Sequence, residues 1–268
     1  MRWFQRKNQT ATPRTAAARP YQPALEALET RNLLTNASMF SGTLIVHSQE
    51  SLTDFVTSEY VNLLHRLPDV AGLSGFVQMM QNGMTPEAVE AAFVASPEYI
   101  INHGNTTAGF LTGLYFDLLG RAPDTAGFNN WMMMMARGMS ALQVAQSFAT
   151  SMERQSIIVT QDYLGFLGRA PEAGAVTFWV NQLNHGLSRL DVESMIVGSN
   201  EFFQRQGATN VNFIVATYQD VLGRTPRTDE VNVWLTIMAM LPCGSSQQSE
   251  DSILHLASGV ASGPRSYP

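Results

Sequence analysis

One pattern of residues occurs four times in this chain of 268 residues, and it constrains the fold more than any other feature. In each copy an Arg follows a Tyr by six positions and precedes a Pro by two and a large aromatic residue by ten. A Glu stands 32 positions after each of the first three Arg residues. The recurring residues are Tyr60, Arg66, Pro68, Phe76 and Glu98; Tyr115, Arg121, Pro123, Trp131 and Glu153; Tyr163, Arg169, Pro171, Trp179 and Glu201; and Tyr218, Arg224, Pro226 and Trp234. The Arg residues are 55, 48 and 55 positions apart, a period typical of helical repeat units.

Each copy is predicted to form three short helices. In the second copy, apolar residues over 110–119 recur at the spacing of an amphipathic helix. Gly120 is placed to end that helix in a left-handed conformation, and Asp124 is placed to cap the next one. Ser140 and Gln143 have the spacing of a capping box for a third helix. No stretch alternates long enough to make a sheet, so the sequence predicts an all-α protein of tandem three-helix repeats, packed as an array or bundle.

The repeats also predict a division of the chain. The predicted segments are a basic flexible leader at 1–24, a short motif at 25–35, a linker at 36–51, repeats at 52–101, 108–155 and 156–204, a degenerate fourth repeat at 211–262 and a tail at 263–268. The fourth copy lacks the later Ser-x-Glu, and residues 252–259 resemble its third helix displaced along the chain. Terminal units of stacked arrays are often atypical because their outer face meets water. Copies two and three are almost continuous, so the units could instead begin at another point of the pattern.

The second helix of copy two contains four consecutive methionines, Met132 to Met135. Four consecutive residues cover every side of a helix, which predicts a helix enclosed by its neighbours with Met filling irregular gaps. The alternative is an adaptable thioether surface for a ligand.

The recurring Arg residues are predicted to hold the fold together. Each one follows a helix end, where a guanidinium can donate to the last carbonyl groups of the helix. It can also form a buried pair with a carboxylate, either three residues later or at the recurring Glu. The alternative is that Arg, Tyr and Trp form a repeated platform for an anion or a sugar.

Charge and motifs exclude several classes of protein. Residues 1–31 carry six basic and two acidic side chains, a net charge of +4. Since the whole chain has a net charge of −6, the remaining residues carry −10. An acidic body disfavours a nucleic-acid partner. No apolar run reaches the length of about 18 residues that a transmembrane segment needs. No catalytic motif and no metal-ligand spacing is present, so no catalytic residue, metal or cofactor is predicted. Asp69 and Asp124 are predicted to be helix caps rather than ligands of calcium.

The repeat resembles the bacterial domain of unknown function numbered 4214. The segments LYFDLLGRAPDTAGFNNW and QDYLGFLGRAPEAGAVTFW carry the resemblance, which extends over residues 53–241. Such domains are commonly appended to exported bacterial proteins, and no catalytic residues are known for them. The repeat is also distantly similar to the linker domains of phycobilisomes, which are helical assembly scaffolds.

A second resemblance concerns the N-terminal stretch 25-LEALETRNLL-34. It is similar to the Leu-Glu-Pro-Arg-x-Leu-Leu motif of large exported or surface proteins, with Thr30 in place of the Pro. Together the resemblances imply a non-enzymatic, extracellular or cell-surface module with a protein or cell-envelope partner. Two alternatives stay open: a carbohydrate-binding or carbohydrate-active accessory enzyme, and a calcium-dependent structural module.

Overall fold

The computed structural model describes residues 41–172 and 174–240, and these residues form helices and connecting turns without a β-strand. Residues 41–46 are helical. The further helices are α1 (Gln49–Leu64), α2 (Val70–Gln81), α3 (Pro86–Val94), α4 (Pro97–Asn102), α5 (Thr107–Leu119), α6 (Thr125–Ala136), α7 (Ala141–Ala149), α8 (Met152–Leu167), α9 (Ala175–Asn184), α10 (Arg189–Val197), α11 (Asn200–Arg205), α12 (Asn210–Leu222) and α13 (Thr228–Met240). The predicted leader, the motif at 25–35, the segment at 252–259 and the tail lie outside the described residues.

The all-α prediction is confirmed, and local sequence explains where the helices stop. The helix before each recurring Arg ends in a residue with positive φ, namely His65, Gly120, Gly168 or Gly223. The backbone N–H of the following Arg donates to the carbonyl of the recurring Tyr, as in a Schellman motif. Pro then stands two positions after the Arg and prevents helix continuation.

The capping predictions for the second copy are confirmed as well. The Asp124 side chain accepts from the backbone N–H of Gly127 at 2.7 Å. Ser140 and Gln143 form both hydrogen bonds of a capping box. These contacts satisfy N–H groups that a helix leaves without an internal partner in its first turn.

The chain consists of two halves that repeat each other. Adding 103 to the bounds of α1, α3, α4 and α5 gives the bounds of α8, α10, α11 and α12. One hydrophobic core is built almost entirely from α1–α7, and a second from α8–α13 together with Ile45. Each half therefore contains two units around a core of its own.

Within each half the two units differ by a short insertion. In the first, Ser48 caps α1, which runs without a break to the helix end before Arg66. In the second, Ser96 caps the short α4, and a turn with Gly104 and Asn105 at positive φ precedes α5. The Ser-to-Arg distance is 18 residues in the first case and 25 in the second. This insertion of seven residues explains why the Arg spacings alternate between 48 and 55.

The prediction of a linker at 36–51 is wrong for residues 41–51, the part of it that the structure describes. Residues 41–46 are helical, and Ile45 and Val46 are buried. Adding 103 to 41–46 gives 144–149, which lies in α7, the third helix of its unit. The segment 41–46 thus takes the place of the third helix of the fourth unit. Loop composition misled the prediction, since 35–51 is rich in Ser and Thr.

The prediction that neighbouring helices enclose the methionine-rich helix is also wrong. Helix α6 has no buried residue, and Met133 and Met134 are 44% and 37% exposed. Trp131 and Met132 lie half-buried at the edge of the first core. Only one face of α6 contacts the rest of the protein, so four consecutive apolar residues do not require a neighbour on every side.

The structure has no helix, within residues 41–172 and 174–240, whose length and apolar character would allow it to cross a membrane.

Candidate functional site

The recurring Arg residues join consecutive units through paired hydrogen bonds. Arg121 donates from Nε and Nη2 to the two carboxylate oxygens of Glu153, at 2.5 and 2.8 Å. Arg66 does the same to Glu98, at 2.6 and 2.9 Å. Each Glu lies in the first turn of the helix that opens the next unit. The pair is therefore a link between units, and its planar two-bond geometry fixes the direction of approach.

The fourth Arg reaches back to the start of the chain. Arg224 donates to both oxygens of Glu50, at 2.7 and 2.8 Å, although the two residues are 174 positions apart. It also donates to both oxygens of Glu230, whose side chain is only 3% exposed. Ser48 caps α1 and Glu50 lies in its first turn, so they are the Ser-x-Glu that the fourth copy lacked in the sequence.

These links close the four units into a ring. Unit 1 is α1–α3, unit 2 is α4–α7, unit 3 is α8–α10, and unit 4 is α11–α13 with residues 41–46. Helix α3 packs on α7, α5 on α8, α8 on α11, and α12 on α1, so every unit contacts the next and the fourth contacts the first. In addition α3 and α10 meet across the middle. The first and last parts of the described chain are consequently neighbours.

The recurring aromatic residues are used in the same links. The guanidinium carbon of Arg121 lies 5.0 Å from the ring centre of Tyr115, and the other three Arg–Tyr pairs are at 4.8 to 5.3 Å. Trp234 Nε1 donates to the hydroxyl of Tyr218 at 2.8 Å, and Trp179 Nε1 donates to the corresponding Tyr at 3.0 Å. Trp179 and Trp234 are buried, whereas Trp131 and Phe76 are half-buried. Stacking on a cation and a bonded indole N–H are both favourable uses of these rings.

Two details of the Arg prediction need correction. The Arg–Glu pairs of units 1 to 3 are not buried, since Arg121 and Glu153 are 40% and 44% exposed. The guanidinium of Arg121 donates to the carbonyl of the next residue, Ala122, rather than to a carbonyl at the helix end. The helix carbonyl of Tyr115 is instead satisfied by the Arg backbone N–H.

The Asp residues after the Pro act as caps in units 1 and 2. Asp69 Oδ1 accepts from the N–H of Gly72 at 2.8 Å, and its Oδ2 lies 3.7 Å from Arg66. In unit 3 the equivalent Glu172 contacts Arg169 at 2.7 Å. Among the residues at 41–172 and 174–240, no three His, Cys, Asp or Glu side chains are grouped so that they could hold a metal ion.

A cluster of polar and charged side chains, buried or half-buried, lies between the two halves, and sequence reasoning missed it. We call it the central cluster; its members are Glu59, Glu90, Arg154, Gln155, Asp162, Arg189 and Glu193. Arg154 pairs with Glu90 and donates to the Leu118 carbonyl at 3.0 Å. Glu87 of unit 1 accepts from the backbone N–H of Arg189 of unit 3 at 3.1 Å. Polar contacts are therefore part of the interface between the halves.

Two carboxyl groups in the central cluster each have an oxygen without a hydrogen-bond partner, and three have raised pKa values. One oxygen each of Glu59 and Asp162 has no hydrogen-bond partner. Burial raises the pKa of Glu59 to about 7, and the Glu90 carboxylate contributes to that rise. Burial likewise raises the pKa of Asp162 to about 6 and, with the charge of Asp162, that of Glu193 to about 7. The pattern could have been found in the sequence, because 59 and 162, and 90 and 193, are related by the same offset of 103 and are all acidic.

Comparison with known families supports the repeat assignment. Residues 37–103, 90–158 and 193–241 match the domain of unknown function DUF4214, and together they cover more than half of the chain. The chain belongs to the DUF4214 family. The first match begins before residues 41–46, so the DUF4214 pattern includes the segment that completes unit 4 in this structure. Residues 159–192 lie outside the three matched ranges, although Arg169 and Trp179 make the same contacts as their counterparts. No curated protein and no protein of solved structure gives a significant match.

Proposed function

We propose that the protein is a non-enzymatic interaction and assembly module that works outside the cell or at its surface. The observation that carries the proposal is that the recurring residues are engaged with each other. Each Arg binds a Glu of another unit and stacks on a Tyr, so the motif serves the ring. A module of this kind offers a rigid frame, and its contacts with partners fall where the units differ.

Helix α6 is one place where the units differ. Adding 103 to Trp131 and Met134 gives Trp234 and Ile237, which are 1% and 0% exposed. In unit 2 the same two positions are half-buried and 37% exposed. Together with Met133 they form an apolar surface on the outside of the ring. Flexible, polarizable Met side chains adapt well to an irregular partner surface, so we propose α6 as the contact with a protein of the cell envelope.

Charge and family resemblance support the remaining parts of the proposal. The net charge of −10 beyond residue 31 disfavours a nucleic-acid partner. The extracellular or surface location rests on the resemblance of residues 25–34 to an export-associated motif and on the usual context of DUF4214 domains. Similarity to phycobilisome linker domains points to the same kind of assembly role.

The carbohydrate alternative has weaker support. Trp179 and Trp234 are buried and their indole N–H groups are bonded to Tyr, so neither ring face is open to a sugar. Of the three recurring Trp residues, Trp131 is the one whose side chain is partly accessible to solvent. A single partly exposed ring gives no repeated platform.

The experiment compares two variants in the intact organism. We expect Met133→Ser with Met134→Ser to leave the melting temperature almost unchanged, because both side chains are largely exposed. We expect the same variant to lose an envelope protein that wild-type protein captures after surface cross-linking. Met79→Ser is the matched control, since Met79 is also 43% exposed but lies on α2.

Two results would contradict the proposal. Equal capture by the wild type, the α6 variant and the control would remove α6 as the contact. A protein found only in the cytoplasm, by fractionation and by its inaccessibility to a membrane-impermeant label, would contradict the proposed location.

A further inference from the structure

The ring contains two kinds of Arg–Glu link, and the difference depends on which half supplies each partner. Arg66–Glu98 and Arg169–Glu201 each lie within one half. Arg121–Glu153 joins α5 of the first half to α8 of the second. Arg224–Glu50 joins α12 of the second half to α1 of the first. A single covalent connection, at residues 150 and 151 between α7 and α8, joins the two halves within the described part of the chain.

Each half has the structure of a separate body. The two hydrophobic cores divide at the α7–α8 connection, with Leu190 and residues 44–45 as the main exceptions. The halves have the same helices at an offset of 103. Between them lies the central cluster, with unpartnered oxygens on Glu59 and Asp162. Buried polar groups without partners weaken an interface compared with apolar packing.

The first half nevertheless completes the second one. The helix at 41–46 lies against the end of α10, because a Cβ added to Gly42 would be 3.3 Å from the backbone nitrogen of Gly198. Ile45 belongs to the same core as Trp234 and Phe213. The segment Ile-Val-His-Ser-Gln-Glu at 45–50 matches Ile-Val-Gly-Ser-Asn-Glu at 196–201, so unit 4 accepts the same type of segment as the other units. No covalent connection within the described residues ties this segment to unit 4.

We propose that two copies of this chain exchange halves and form a dimer of two rings. In each ring the first half comes from one copy and the second half from the other. The connection at residues 150 and 151 is the hinge, and the contacts between the halves outside this hinge re-form between the copies. Short connections between bodies that pack together favour this kind of exchange. The partner is therefore a second copy, and this proposal does not rest on capture of an envelope protein by α6.

Charge reversal tests the exchange because it distinguishes the two kinds of link. A chain with Glu50→Arg places a second guanidinium beside Arg224, and a chain with Arg224→Glu places three carboxylates together, at positions 50, 224 and 230. In a mixed exchanged dimer of these chains, both rings again contain one Arg and one Glu at positions 50 and 224. Neither chain alone can restore it. The two chains, given different masses, are mixed, held a few degrees below their melting temperature, cooled and examined by native mass spectrometry. We expect mixed dimers to exceed either homodimer by about tenfold, which corresponds to about 1.4 kcal/mol of restored pairing.

The second link between the halves must behave in the same way. Mixing Arg121→Glu with Glu153→Arg restores that pair only if the halves are exchanged. The matched control is Arg66→Glu mixed with Glu98→Arg. These residues stay together in one half, so exchange cannot restore their pair and we expect no enrichment of mixed dimers.

The outcomes are clear-cut. Enrichment at both links between the halves and none at the control supports the exchange. Enrichment only for Glu50 and Arg224 would overturn it, since that result describes contact at one end of the chain. If the variants fail to fold, two mass-labelled wild-type preparations take the same treatment: mixed dimers support the proposal, and unchanged monomers overturn it.

Discussion

Replacement of Arg224 should destabilise the protein far more than replacement of Arg121, although both residues occupy the same place in their units. Arg224→Met removes the partner of two carboxylates, Glu50 and Glu230. Arg121→Met removes the hydrogen-bonded partner of Glu153, which is 44% exposed, and a contact of 3.6 Å with the exposed Asp124. Met keeps most of the aliphatic stem in both variants, so the comparison isolates the contacts of the guanidinium group.

The magnitudes follow from exposure. An exposed ion pair contributes about 0.2–1 kcal/mol and an exposed cation–π contact about 0.5–1 kcal/mol, so Arg121→Met should cost about 1–2 kcal/mol. Glu230 is 3% exposed, and loss of one partner of a buried pair costs about 3–5 kcal/mol. For a chain of this size, 1 kcal/mol shifts the melting temperature by about 2–4 °C. We therefore expect a fall of about 4 °C for Arg121→Met and about 10 °C for Arg224→Met.

Scanning calorimetry and urea unfolding measure the two shifts, and a double variant tests the cause. Adding Glu230→Gln to Arg224→Met removes the buried carboxylate that has lost its Arg. The double variant should recover at least about 1 kcal/mol of the free energy of unfolding. Arg224 and the Arg227 backbone keep the pKa of Glu230 below its usual value, although burial alone would raise it. The group therefore stabilises the fold at neutral pH and loses this effect as the pH falls through its folded pKa. The deficit of Arg224→Met should shrink in acid.

Equal shifts for Arg121→Met and Arg224→Met would refute this reasoning. So would a double variant that is no more stable than Arg224→Met. Either result would mean that the buried carboxylate of Glu230 does not depend on its Arg.

Other perturbations give equally definite expectations. Carboxyl groups in the central cluster have raised pKa values near 6 and 7, so stability should fall as the pH rises from about 4.5 to 7, and Glu59→Gln should reduce that fall in urea titrations. Gly127→Ala would place a Cβ 2.6 Å from the hydroxyl oxygen of Tyr115 and should lower the melting temperature, whereas Gly165→Ala meets nothing within 4 Å and should raise it by removing a helical glycine. In acrylamide quenching, Trp131→Phe should remove more of the accessible emission than replacement of either buried recurring Trp. A flat pH profile, a tolerated Gly127→Ala or an unchanged quenching curve would contradict the respective argument.

The sequence was sufficient for the features that short-range physics decides. Gly120, Asp124 and the Ser140–Gln143 box depend on a few neighbouring residues, and the structure confirms their predicted roles. The all-α fold followed from apolar spacing within single helices. The spacing of the recurring residues identified the family, because the same positions have the same packing role in each unit.

Features that depend on residues far apart were missed. Glu50 is a link residue only because Arg224, 174 positions away, reaches it when the ring closes. The motif at 45–50 precedes Tyr60, so a repeat that is defined from its Tyr onward does not include it. The exposure of Met133 and Met134 depends on which faces of α6 the ring leaves open. Composition cannot tell an outer apolar helix from an enclosed one.

Closure between α1 and α12 has a consequence for how such a protein can change over time. An open stack can gain or lose a unit at either end by altering a single interface, so its length drifts easily. Here, each unit contacts two others, so deletion of any unit would break two interfaces. Within residues 41–172 and 174–240, closure therefore favours a ring of four units, and variation is expected at surfaces such as α6 and in the turn that precedes α5. We expect proteins of this architecture to differ from one another mainly in surface residues and turns, while the links between the units stay the same.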